Sequence, residues 1–109
     1  MVKSLRLALA IVETTSIPLI ILTALYILSG YQLLYPQVYF MPSARIIHID
    51  LYLRLVFLIL VYLHSLAGII IICERRLSNK LFKNILEYTA IALLSILIAI
   101  PLALEIVYR

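Results

Sequence analysis

Charge is scarce in this chain, and so are the residues from which soluble active sites are built. Only 13% of the sequence is Asp, Glu, Lys or Arg, roughly half of what an ordinary soluble domain carries. There are two glycines and no tryptophan, and no GxGxxG, Walker sequence, HExxH or nucleophile elbow. That excludes phosphate-cradling loops and the common hydrolytic centres. A single cysteine, Cys73, cannot form an internal disulfide and provides neither CxxC nor zinc spacing. The net charge of +4 comes mostly from loops and helix ends, which suits membrane orientation and not nucleic-acid binding.

Apolar residues fill the space that charge leaves. They make up 66% of the 109 residues, with a mean hydropathy of +1.19. The expectation is an all-α membrane protein, one three-helix unit over residues 1–109, with spans at about 17–34, 44–72 and 85–107. Lys3 and Arg6 before an apolar run imitate a signal peptide, but we read the stretch as retained. Pro18 requires either a turn before the first span or one long helix that bends there. Glu13 then lies near the interface as a solvated end residue, or makes a polar contact to a quinone or partner subunit. Basic residues at the amino end and in the stretch Cys73 to Lys83 outnumber those in the first loop and at the carboxyl end. The positive-inside rule therefore predicts a cytoplasmic amino terminus, an external carboxyl terminus and a multi-pass place in the cell membrane, with lipid headgroups as partners of the basic loop.

Local signals set the helix ends. Tyr35 to Pro42 reads as an interfacial loop, with Ser43 as N-cap of the second helix. Asp50 and Arg54, spaced i,i+4 with the acid first, are expected to pair. Asn84 and Glu87 resemble a capping box for the third helix, in which Ser95, Ala99 and Ala103 form a small-residue stripe and Pro101 bends the end.

The residues from Leu55 to Ile72 carry no charge, and His64 stands near the middle of that run. An ionisable side chain at membrane depth is a functional-site hypothesis by default. Gly68 follows one turn later on the same face, a notch on which a flat cofactor can approach the backbone. Imidazole is a usual axial ligand of haem iron, so His64 is the candidate metal ligand. His48, on a continuous helix, would lie about 24 Å away and about 160° around from it. The two cannot share one iron, and His48 is an interfacial histidine or a second ligand. Arg45 and Arg54 are candidates for holding an anionic group such as a haem propionate.

The run His64-Ser65-Leu66-Ala67-Gly68, followed by an apolar half-turn, a short charged loop and a final apolar helix, resembles the second half of the small membrane-anchor subunits of succinate dehydrogenase and fumarate reductase. The resemblance covers most of 58–107 in pattern and the first span in topology only. It implies haem b with His64 as one axial ligand, the other coming from a second membrane subunit. It also implies cytoplasmic iron–sulfur and flavoprotein partners, and electrons passing to or from quinone. The chain itself would be non-catalytic. Where that family often has an Asp-Tyr pair, this chain has Glu74-Arg75-Arg76. Arg45-Ile46-Ile47-His48 is similar to the RxxH start of a helix in hydrogenase-type b cytochromes, a competing resemblance. A third reading is a structural subunit without a cofactor, in which His64 is hydrogen-bonded across helices.

Overall fold

The computed structural model describes residues 2–108, with side-chain surroundings described from Leu5 onward. It is helical, without strands among the described residues: α1 Val2–Leu34, α2 Ala44–Ile49, α3 Leu51–Arg76 and α4 Lys80–Val107. Three of the four are long and apolar enough to cross a membrane. The protein is thus an all-α, multi-pass membrane protein. Arg109, counted above for orientation, lies outside the described residues.

The helices stand in a row. α3 packs against α1 on one side and α4 on the other, while α1 and α4 do not touch among the described residues. The extents, 53 × 30 × 20 Å, match three helices about 10 Å wide side by side. A closed bundle would hide a central seam. Here no residue of α4 is buried, and the buried apolar residues reduce to Ala8, Leu22, Ala44, Ala67 and Cys73.

The α1 seam has a seven-residue period. Ala8, Thr15, Leu22 and Ser29 are all buried, the spacing that keeps one helix face turned towards a neighbour. Two of these four, Thr15 and Ser29, are hydroxyl residues. α1 runs unbroken through Pro18. Proline supplies no N–H, which leaves a carbonyl one turn back unpaired. Just ahead of it the hydroxyls of Thr14, Thr15 and Ser16 donate back to the carbonyls of Ala10, Ile11 and Val12. These acceptors differ from the Thr14 carbonyl, the one that Pro18 deprives of its N–H partner.

Several expected helix ends move. The helix expected over 44–72 is interrupted at Asp50, whose backbone is extended (φ −62°, ψ 128°) and whose carboxylate accepts from the Leu53 N–H at 2.9 Å. Asp50 is therefore the N-cap of α3 and not the ion-pair partner of Arg54. Arg54 turns elsewhere, with Nη1 donating to the Ile49 carbonyl at 2.7 Å and Nη2 bridging to Glu105 of α4. One guanidinium thus closes the end of α2 and ties α3 to α4. Ser43 makes no capping bond and adopts the left-handed conformation (φ 55°). The connection before it is secured by Gln32, whose Oε1 accepts from the N–H groups of Phe40 and Met41 at 2.7 and 3.0 Å. α4 begins at Lys80, capped by Asn79, because Asn79 Oδ1 is within reach of the Leu81 and Phe82 N–H groups. Asn84 lies inside the helix. The basic stretch shrinks accordingly to a three-residue turn, spanned by a Lys83–Glu74 pair at 3.5 Å.

On the α4 side of α3, Tyr62 and Ser95 share a hydrogen bond of 2.9 Å, so the small-residue stripe begins at a polar contact. Interhelical bonds of this kind contribute on average about 0.6 kcal/mol in membranes. Tyr62→Phe is expected to weaken the folded state by about that amount, measured by reversible unfolding in mixed micelles; a loss above about 2 kcal/mol would show that the pair carries more than an ordinary interhelical bond.

Candidate functional site: two imidazoles against one helix face

The break at Asp50 changes the relation between the histidines. His64 Nδ1 lies 2.9 Å from Thr15 Oγ1, and His48 Nδ1 lies 2.8 Å from Ser29 Oγ. Thr15 and Ser29 are fourteen residues apart in the buried α1 repeat, on nearly one face and about 21 Å apart along the axis. The phase difference expected for a straight helix from 44 to 72 does not apply. Both rings meet the same flank of α1 at two depths.

The distances around Thr15 point to one tautomer at His64, assigned from partners and not from a located proton. A threonine hydroxyl has one proton, and Thr15 Oγ1 lies 2.6 Å from the Ile11 carbonyl, an acceptor that cannot donate in return. With that proton given to Ile11, His64 Nδ1–H is the donor to Thr15 and the Nε2 lone pair is free. Metal-bound histidines are held in the same way, one ring nitrogen donating to the protein so that the other can ligate. At His48 the balance differs: the Ser29 hydroxyl has Tyr26 O only at 3.3 Å, beyond normal hydrogen-bond length, so its proton is directed to His48 Nδ1. Nε2 of His48 then carries the hydrogen and is not a ligand without a tautomer change.

His64 is half-buried and edges a groove of about 510 Å³ lined on the α1 side by Ser16, Leu19, Ile20, Thr23, Ala24 and Ile27. That is within the usual volume range of small-molecule sites, and mostly apolar walls with a few polar groups, here His64, Ser16 and Thr23, are the usual composition. The residues present fit an axial half-site for haem: one imidazole with its lone pair available, beside an apolar groove open on the outer side. No group of three or more His, Cys, Asp or Glu residues gathers into a metal cage among the described residues.

The other candidates fall elsewhere. A Cβ on Gly68 would meet nothing within 4 Å, and Gly68 does not line the His64 groove. The glycine that lies beside a ring is Gly30, where a Cβ would stand in ordinary contact, 3.4 Å from His48 Cε1. Arg45 is exposed and borders a separate groove with Gln32, Pro36, Tyr39 and Met41 at the α1–α2 end, so the structure does not bring it together with His64. The His48 end holds a further polar cluster that the sequence reading missed. The Tyr26 ring packs edge-on to His48 (5.5 Å between centroids) and against Phe57 (4.9 Å), and the buried Tyr26 hydroxyl and Arg54 Nε lack partners among the described residues. A tyrosine in an apolar run is no signal by itself; its spacing of three before Ser29 is the only hint.

Glu13 also departs from expectation. It lies inside α1, two residues before Thr15, on the exposed outer side. Because Thr15 meets His64, Glu13 lies within about 3 Å of that level along the helix. It is not an end residue.

Thr15→Val keeps the shape of the side chain and removes its hydroxyl, stranding His64 Nδ1. A destabilisation of about 1 kcal/mol is expected in micelle unfolding, with Thr15→Ser close to wild type. Gly68→Ala is expected to fold as wild type and Gly30→Leu to fail by displacing the His48 ring, compared by thermal melting; equal tolerance would contradict the packing described. Comparison with protein-family models, curated proteins and solved structures returned no match.

Proposed function

We propose that this chain is a haem b-binding anchor subunit of a quinone-linked respiratory complex of the succinate dehydrogenase or fumarate reductase type, resident in the cell membrane. The observation that carries the reading is His64, placed midway along α3, its Nδ1 engaged by Thr15 and its Nε2 left for a ligand role beside an apolar groove. Low-spin electron-transfer haems take two axial side chains. With one imidazole beside an open groove, a second membrane subunit would have to provide the other ligand.

In this reading the chain is not itself an enzyme. Bound haem would supply one-electron transfer. The protein's own residues would hold and orient it: His64 would be the ligand, Thr15 would keep the ring in the ligating tautomer, and Leu19, Ile20 and Ile27 would line its apolar side. The exposed arginines Arg75 and Arg76, with Lys80 at the start of α4, would by the positive-inside rule lie at the cytoplasmic end, where iron–sulfur and flavoprotein subunits would dock.

A structural subunit without a cofactor is the competing reading. It is favoured by the pairing of both histidines with hydroxyls, which is also what a purely packing histidine needs. Reduced-minus-oxidised visible spectra of the purified complex separate the two. The haem reading expects a b-type band in the wild type that His64→Ala abolishes or displaces, that His48→Ala leaves largely intact, and whose midpoint potential rises in Thr15→Val as the ligand loses basicity. A wild-type complex without any haem band leaves the structural reading in place.

A further inference from the structure

We infer that the outer face of α1 is covered by a helix of a different polypeptide, which presents a basic residue to Glu13 within the membrane. The inference rests on depth, exposure and charge.

Depth follows from packing. Thr15 meets His64, and one turn or two earlier Leu7, Ala8 and Ile11 border a groove with Leu63, Leu66, Ala67 and Ile70. Glu13 therefore lies level with the part of α3 between His64 and Ala67. The nearest charges on α3 are Arg54 and Glu74, each ten residues from His64 and so about 15 Å away along the axis in either direction. Glu13 thus stands at the depth of an uncharged run long enough to span the hydrocarbon core. A carboxylate has too short a stem to reach the headgroups from there.

Exposure sets the direction. Thr15 faces α3, and Glu13, two residues earlier, is turned about 200° from it. Ile17 and Ile20 continue the outward face and are 68% and 67% exposed. Ionisable side chains within spans almost always face protein or a polar cavity and are paired, whereas this one faces away from its own chain. Something other than lipid covers it.

Charge selects the occupant. Among the described residues Glu13 forms no ion pair; Arg6 is the nearest basic residue on α1, seven residues back and about 10 Å nearer the end. From Arg6 to Arg45, and again from Lys83 to Arg109, the chain has no Lys or Arg. A second copy therefore has no lysine or arginine to place opposite Glu13 at this depth, and its histidine there, His64, is turned to Thr15 of its own chain. The complement must come from another sequence. The same flank continues through Ile20 into the groove edged by His64, so one partner covering α1 would both neutralise Glu13 and reach the haem half-site. That last clause rests on the proposed function; the Glu13 argument stands without it.

The test uses the complex purified from native membranes, with a photoreactive benzophenone amino acid replacing Ile17. Irradiation is expected to give a crosslink, identified by mass spectrometry, to a hydrophobic span of another polypeptide that contains Lys or Arg. Its yield should drop at least tenfold in Glu13→Gln and Glu13→Lys and stay within twofold of wild type in His64→Ala, which keeps the result separate from the presence of haem. The same probe replacing Tyr88 on the exposed side of α4 serves as control and should not give this product. Crosslinks only to lipid, to a second copy of this chain, or to a span without Lys or Arg would overturn the inference, as would a yield unchanged by both Glu13 substitutions.

Discussion

A hydroxyl on α1 facing an imidazole on the other strand of the helical hairpin is the contact on which the arrangement depends. In lipid the hydrophobic effect does not drive helices together, so close packing and a few polar pairs must set which faces meet. Here the α1 seam alternates small or apolar residues (Ala8, Leu22) with hydroxyl residues (Thr15, Ser29), and each hydroxyl meets a histidine. A rotation of α1 by one residue would move both hydroxyls off the seam and leave two imidazoles without partners. Register and rotation are therefore determined by the same two bonds.

The same pairing makes a ligand role chemically accessible. A histidine in the hydrocarbon region with both nitrogens satisfied would be inert, and one with neither satisfied would be costly. Thr15, with its proton spent on the Ile11 carbonyl, leaves His64 between those extremes. The Ser29 pair, with its longer alternative to Tyr26 O, leaves His48 in the other tautomer. Two sites that look equivalent in sequence are thereby distinguished by how far each hydroxyl stands from a backbone carbonyl.

Much of the architecture was legible in composition and hydropathy: the three spans and the apolar core around His64 needed no structure. What was not legible depends on competition between partners. Asp50 with Arg54 four residues on satisfies the rule for an ion pair, but a carboxylate beside free N–H groups at a helix start caps instead, and the arginine found Glu105, a residue far away in sequence. Asn84 with Glu87 matched a capping box, yet Asn79 lay closer to the charged turn and ended the wait earlier. Glu13 was read as interfacial because Pro18 was allowed to begin the span; the helix instead continues unbroken through it. Gly68 was singled out for its place after His64, while the glycine in contact with a ring is Gly30, whose partner lies across the first loop.

The row-like order of the helices has one further result. A ring of helices is closed to newcomers, but a row has two free margins, α1 at one and α4 at the other, both still apolar along their length. Either margin can take another helix without disturbing the joints already made, but the α1 margin, with Glu13 in its outer face, is the more selective of the two, so a unit of this plan is open to widening while the imidazole at its centre keeps its place.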